Sequence, residues 1–369
     1  MIPLWKLRRE LQRLKVQAQA LPMALYEPFV QTRHDRARAE RVTVTQGALP
    51  ATERMAVFLL YQPNGVNPSV LATCRHLVQQ GFSPIVVSNT PLSSGDRIAL
   101  MELVHLVAER PNFGYDFGGY RDGLWLIKER KIKPEQLLFL NDSVWFPVRS
   151  DTSLLTDMSQ SPADYVGTQV FGDVSPSVKR QGFFGSYCFL IKAPLLNSDA
   201  FNDFWTHYRM SSNKEVTLRR GERAFSHQML RASDRSAGIF SHDRYHAVID
   251  GLNTSALREA LGDMVVLRTD LEERRQALLK TASTVSWDDD AQSLLREAAR
   301  SKNYIGAAPV ISLRELGFPM IKKNNEMLYR EARKRIITAV DEGRLVGLDA
   351  QVLGEMRTLI ARTKTDDIH

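Results

Sequence analysis

Residues 55–89, MAVFLLYQPNGVNPSVLATCRHLVQQGFSPIVVSN, place two apolar runs on either side of one amphipathic stretch. The run Met55 to Tyr61 is continuous and apolar, the pattern of a strand buried on both faces, and Pro84 to Asn89 repeats it with β-branched residues. Between them Asn67 caps a helix and Pro68 takes its first position. Val70, Leu71, Cys74, Leu77 and Val78 share one face, and Gly81 ends the turn. A strand, a helix and a second strand with no room for a hairpin predict a parallel pair.

Reading onward, a polar loop from Asn89 to Asp96 precedes a helix with Leu100, Leu103 and Val104, although Val104 to Ala108 also fits a third strand. A helix from about Tyr120 to Arg130 then leads into the buried strand Leu137 to Leu140, which runs straight into Asn141-Asp142-Ser143. The alternation βαβαβ defines an α/β fold: a parallel sheet with helices on both faces and ligands at the carboxyl ends of the strands.

Residues 55–250 are read as this domain. Before it, Leu4, Leu7, Leu11, Leu14, Ala18 and Leu21 recur at helical spacing with Lys6, Arg8, Arg9, Arg13 and Lys15 between them, so residues 1–30 form a basic N-terminal amphipathic helix. With Trp5 it suits the interface of an anionic membrane surface, and it suits packing on its own domain or a second subunit equally well. Residues 31–54 are polar and read as a linker. Residues 251–369 read as a mostly helical C-terminal part, with candidates Ala256 to Leu261, Thr269 to Thr281, Ala291 to Arg300 and Glu326 to Glu342, and no strand.

The composition, 43% hydrophobic and 25% charged, is that of a globular chain and excludes collagen-like, disordered and membrane-spanning classes. Cys74 and Cys188 match no metal spacing and no disulfide framework, which points to a reducing, cytoplasmic setting. A net charge of +7 calls for an anionic partner. No helix-turn-helix, zinc-finger or RNP-like pattern supports nucleic acid.

Two clusters carry chemistry. Asp142 ends a buried strand, where a carboxylate is costly unless it faces a ligand crevice or a cation, and a Mg²⁺ or Mn²⁺ ion bridging a diphosphate needs only one or two such groups. Asn112 to Gly123, NFGYDFGGYRDG, is dense in glycine but matches neither the P-loop nor the dinucleotide fingerprint. Its glycines would let backbone approach a ligand, and the helix that follows would offer its amide end to phosphate.

Taken in order, Ser88-Asn89, Asn112, Gly114 and Asp116, Leu140-Asn141-Asp142-Ser143, Gly221 to Ser226 and Leu316 to Lys323 resemble the rhamnan synthesis protein F family of bacterial polysaccharide glycosyltransferases. The likeness covers roughly residues 55–325. It implies a GT-A type, Rossmann-like nucleotide-sugar transferase domain in which Asn141-Asp142-Ser143 takes the place of the metal-binding aspartate motif, with Asn141 where the first aspartate is usual. It implies a donor site of Ser88, Asn89, Asn112, Gly114, Arg121, Asp122 and Asn141, with Arg121 beside the donor diphosphate, and Asp142 on the metal. Glu222 stands where the family has a glutamate before the helix after the acceptor region, and is the candidate catalytic base; Asp116 is the second carboxylate held for a catalytic or donor role.

Gly182 to Tyr187 resembles the acceptor-side segment, with ring faces suited to a sugar or to the core. Lys322, Lys323, Arg330, Arg333, Lys334 and Arg335 form a basic region suited to a lipid diphosphate. His242 and His246 share a helical spacing without the zincin pattern. The expectation is a glycosyltransferase that moves a sugar, with rhamnose or another deoxyhexose as candidate, from a nucleoside diphosphate donor to a lipid-linked glycan at the inner face of the membrane. A scaffold that keeps the fold without turnover, and a basic nucleic-acid binder, are its rivals.

Overall fold

The structure, a computed structural model, describes residues 25–172, 182–281, 285–301 and 303–366. Of the basic helix expected over residues 1–30, residues 1–24 lie outside them.

The strands are β1 (Thr43–Gln46), β2 (Arg54–Leu60), β3 (Ser83–Ser88), β4 (Leu106–Glu109), β5 (Gln136–Asn141), β6 (Val144–Trp145), β7 (Tyr165–Phe171), β8 (Phe183–Phe184), β9 (Cys188–Lys192), β10 (Ser236–Phe240) and β11 (Ile321–Lys322). The main sheet runs β1-β4-β3-β2-β5-β9-β7-β10, with β8 on β7. β4, β3, β2 and β5 are mutually parallel, as the alternation in the sequence anticipates, and β9 turns the sheet antiparallel beside β5.

Alternate residues of β2 feed two cores. Ala56, Phe58 and Leu60 pack with Val70, Cys74 and Leu77 of the helix Pro68–Gln79. Met55, Val57 and Leu59 pack on the other face with Phe117 and Tyr120 of the helix Tyr115–Glu129, and with Phe139, Phe189, Trp205 and Phe225. Each fully buried large apolar side chain contributes roughly 1.5–3 kcal/mol of transfer free energy, which is why both faces of the sheet need cover.

Residues 31–54, expected as a linker, are structured. Residues 25–36 are helical, Arg38–Arg41 adds a turn, and β1 pairs antiparallel with β4 at the sheet edge, Val44 opposite Ala108. The stretch looks like a linker in sequence because it is held by ion pairs: His34 and Arg38 contact Asp122, and Asp35 contacts Arg121.

The C-terminal part is helical as expected, with Thr254–Asp263, Thr269–Lys280, Val285–Ser301, Met327–Asp341 and Ala350–Asp366. It carries one strand that the sequence did not announce: β11 pairs antiparallel with β6, Ile321 opposite Trp145 and Lys322 opposite Val144. Two residues are too short to give a period. Among the described residues no helix is long and apolar enough to cross a membrane.

Candidate functional site

The parallel strands end at one edge, and polar side chains gather there. β5 delivers Asn141, whose side-chain N–H donates to Oδ2 of Asp116 at 2.9 Å while its Oδ1 accepts the backbone N–H of Ser143 at 3.1 Å. Asp116 lies in the first turn of the helix Tyr115–Glu129, entered through Gly114 in the left-handed region at φ +83. A Cβ at Gly114 would sit 3.0 Å from Cβ of Met210, so φ and space together require glycine. Removal from water, reinforced by the charges of Asp142 and Glu222, pushes the Asp116 carboxyl up to about 6.

Asp142 follows Asn141 and faces the same edge. Its Oδ2 accepts the backbone N–H of Tyr61 at 2.8 Å and the amide of Gln62 at 2.6 Å, both just beyond β2. Burial raises its pKa, and the ammonium of Lys323 works against that rise. Glu222 comes from a π-helical turn, Leu218–Arg223, the kind of helical irregularity that often marks a functional position. Its Oε1 accepts both the backbone N–H of Ser186 at 2.8 Å and the Ser186 hydroxyl at 2.9 Å, and the Tyr120 hydroxyl donates to the Ser186 carbonyl. Lys322 completes the group, brought in by β11 and within electrostatic reach of Glu222 and Asp116.

The structure therefore brings Asp116, Asn141, Asp142 and Glu222 together, with Gly114 at the entry of the helix that carries Asp116. The other expected donor residues lie elsewhere. Ser88 turns its hydroxyl onto the Thr90 carbonyl at 2.6 Å. Asn89 accepts from Arg110, and Arg110 donates to Asp122, which is fully buried against Arg110 and His34. Arg121, expected beside a diphosphate, instead donates to Asp35 through both terminal nitrogens at 2.5 and 2.9 Å. Asn112 is exposed on the preceding loop. Arg121 and Asp122 hold the N-terminal helical segment to the sheet domain.

The glycine-rich stretch is also read differently in three dimensions. The helix begins at Tyr115, five residues earlier than expected, so Gly118 and Gly119 lie inside it along with Gly123. A Cβ on Gly119 would come 2.1 Å from Leu59 and one on Gly123 2.5 Å from Val57. Gly119 and Gly123 let helix and sheet approach. In the expected acceptor segment, Phe184 and Tyr187 are buried, with Phe184 4.7 Å from the Tyr165 ring, while Ser186 serves Glu222. His242 and His246 pack near each other and Tyr304, and burial lowers the pKa of both.

A dedicated metal cage does not fit the residues present. Among the described residues no group of three or more His, Cys, Asp or Glu is arranged to hold an ion. Asn141 turns an N–H donor toward Asp116, Oδ2 of Asp142 already takes two donors, and Lys323 stands beside that carboxylate. Donors and an ammonium are poor company for a hard cation.

The sequence reading missed Gln62, Ser186 and the position of Lys322 and Lys323. The lysines were visible as a basic cluster but not as neighbours of Asp142, because only the two-residue pairing of β11 with β6 joins positions so distant in the chain. Of the rest of that cluster, Arg333 is 1% exposed and donates to the carbonyls of Lys322 and Asn324, so it braces β11 and offers nothing to a headgroup.

Residues 84–264 match the family model described as Rhamnan synthesis protein F, in agreement with the resemblance read from the motifs. A protein of Sinorhizobium fredii (strain NBRC 101917 / NGR234), y4gN, described as uncharacterized, is 29% identical over 96% of this chain and 92% of its own length. Solved structures with a looser likeness are glycosyltransferases. The glycosyltransferase GlyE of Streptococcus pneumoniae TIGR4 shares 15% identity over 52% of this chain and 46% of its own, at a TM-score of 0.30. TarS 1-349 of S. aureus in complex with UDP-GlcNAc shares 12% over 85% and 92% at 0.32, and the mannosyltransferase PcManGT of Pyrobaculum calidifontis in complex with GDP-Man and Mn²⁺ shares 12% over 96% and 91% at 0.30. These likenesses are too distant to transfer a site.

Proposed function

We propose that this chain, whose residues 84–264 carry the rhamnan synthesis protein F segment, is a GT-A type glycosyltransferase that uses a nucleoside diphosphate sugar. The observation behind the reading is the convergence of Asp116, Asn141, Asp142 and Glu222 on the carboxyl edge of parallel strands, where α/β sheets bind ligands. In the reaction an acceptor hydroxyl oxygen attacks the anomeric carbon, its proton passes to Asp116, the bond from that carbon to the diphosphate oxygen breaks, and the nucleoside diphosphate leaves with the electron pair. A carboxyl pushed up to about 6 is ionised at neutral pH yet basic enough to accept that proton. Asn141 orients it. Glu222, fixed by Ser186, holds the acceptor hydroxyl in line.

For the acceptor we favour a lipid-linked glycan in bacterial surface polysaccharide synthesis, with a deoxyhexose such as rhamnose transferred by inversion at the inner membrane face. The family description supports the pathway class. The basic residues of 1–24, followed by Leu25, Tyr26 and Phe29 at 71, 63 and 73% exposure, support attachment to an anionic membrane surface.

The test is a thermal-shift screen against UDP, GDP, dTDP and CMP sugars, followed by a transfer assay on isolated lipid-linked glycans with wild type and Asp116→Asn. Stabilisation by one nucleotide class identifies the donor through ligand linkage. No response to any nucleotide would sink the donor-site reading, and binding without transfer on any acceptor would leave a scaffold.

A further inference from the structure

Lys322 and Lys323 have no ion-pair partner or side-chain hydrogen bond of their own in the described structure, although five carboxylates, Glu326 among them, act on their charges. Lys322 lies within electrostatic reach of Glu222 and Asp116, and Lys323 within reach of Asp142 and Glu355. Instead of a carboxylate, each ammonium has an aromatic face beneath it: Lys322 Nζ is 3.6 Å from the Tyr187 ring centroid, and Lys323 Nζ is 5.4 Å from that of Trp145. A ring orients a cation without neutralising it, so both charges stay available to an anion arriving from the crevice.

The backbone that carries them is firmly held. Lys322 is paired with Val144 across the two-stranded ladder, and the Lys323 N–H donates to the Ser143 carbonyl at 2.9 Å. The buried guanidinium of Arg333 donates to the Lys322 carbonyl at 3.0 Å and to that of Asn324 at 2.7 Å. Lys323 thus stands beside Asp142 and Lys322 beside Asp116 and Glu222, while Oδ1 of Asn141 and Oδ2 of Asp142 already accept N–H donors.

We infer that Lys322 and Lys323 form a diphosphate site that takes the place of a divalent cation, so that donor binding and leaving-group stabilisation proceed without metal. The inference rests on the nucleoside diphosphate reading given above. As the bond from the anomeric carbon to the diphosphate oxygen breaks, the electron pair stays on that oxygen, and the two ammonium groups meet the charge that develops there. Two positive charges suit the charge of a diphosphate and offset the carboxylates around them that would otherwise repel it.

The experiment is calorimetric titration of the full chain with UDP, GDP, dTDP and CDP, and with geranyl diphosphate, in EDTA and again with Mn²⁺. Wild type, Lys322→Met, Lys323→Met and the charge-retaining Lys322→Arg are compared. One nucleoside diphosphate binds in EDTA within about threefold of its affinity in Mn²⁺, each Met variant weakens it by about tenfold or more, as loss of a charged hydrogen bond does, and Lys322→Arg restores most of the loss. Unchanged melting temperatures of the free variants separate lost binding from lost folding. Binding that requires Mn²⁺, or that survives both Met substitutions, overturns the inference and leaves the donor reading intact. Binding of geranyl diphosphate through the same lysines, with no nucleoside diphosphate bound, assigns the pair to the acceptor and overturns the leaving-group role. No binding of any diphosphate overturns both readings.

Discussion

The side-chain amide of Asn141 donates to Oδ2 of Asp116 at 2.9 Å, at the point where a usual aspartate motif would present an acid. Asn141→Asp exchanges that donor for a second carboxylate against a group already raised to about 6 by lost hydration, Asp142 and Glu222. One of two carboxyls at that distance stays protonated, so the acid limb of kcat/KM moves upward by about one pH unit or more. The pH profile of donor turnover checks it. An unmoved limb would show that Asp116 is not the titrating base.

Asp116 also sets a cost on stability. Its folded pKa lies above the ordinary 3.8, so the group favours the folded state when protonated, fully below about pH 4, and that contribution is lost as pH rises through about 6. At pH 7.5 the ionised form costs about 1–3 kcal/mol. Asp116→Asn therefore melts higher than wild type at pH 7.5, by less at pH 5, and transfers no sugar. Thermal unfolding at the two pH values gives the comparison, and a variant that melts lower at both removes the strain assigned to this carboxylate.

The basic side of the profile belongs to Lys322. Burial lowers its pKa to about 8, against the opposing pull of Glu222, Asp116 and Glu326 and with a small push from Lys214. Its charge is present below about pH 8 and lost above, so kcat/KM declines through that region. In Lys322→Arg, whose guanidinium stays charged, the decline moves to higher pH. A decline at the same pH in wild type and variant assigns it to another group.

How far the sequence could be read follows from what each residue interacts with. β2, β3 and β5 were legible because both faces are buried and their residues are uniformly apolar, and Asp142 was legible because an acid after such a run needs a reason. Arg121 and Asp122 misled because a local motif does not say which way a helix face points. Their partners, Asp35, His34 and Arg110, lie outside the helix that carries them. Gly119 and Gly123 misled for a related reason: glycine permits close approach equally to a ligand and to Leu59 or Val57. Lys322 was out of reach because its proximity to Asp116 depends on a short ladder between distant segments.

That distinction is measurable. Asp122 is fully buried and contacts Arg110, also fully buried, through a 2.6 Å hydrogen bond, with His34 at 3.0 Å. Asp122→Ala leaves a buried guanidinium without its counter-ion and costs about 3–5 kcal/mol. Arg121→Ala removes a partly exposed pair with Asp35 and costs about 1 kcal/mol or less. Urea unfolding separates the two. Nucleotide affinity in Arg121→Ala stays at the wild-type value; a large loss would return Arg121 to the donor site.

Glu355 connects the last helix to β6, the strand paired with the one that carries Lys322. Its Oε1 accepts the Ser69 N–H at 2.8 Å, and its Oε2 accepts the Ser69 hydroxyl and the indole N–H of Trp145, each at 2.7 Å. Trp145 is opposite Ile321 in the ladder, one residue before Lys322, and Glu355 also acts on the charge of Lys323. A single carboxylate thus holds the start of the helix Pro68–Gln79, the helix Ala350–Asp366 and β6 in one arrangement. Glu355→Gln keeps the shape but turns one acceptor into a donor facing Ser69 or Trp145, so stability falls by about 1–3 kcal/mol. If the clamp also positions β11, the same variant shows altered tryptophan emission as Trp145 loses its indole partner, together with weaker nucleoside diphosphate binding below the melting transition. A fall in stability with unchanged emission and unchanged binding makes Glu355 a brace for the C-terminal helix alone and leaves the placement of Lys322 and Lys323 to Arg333 and the ladder.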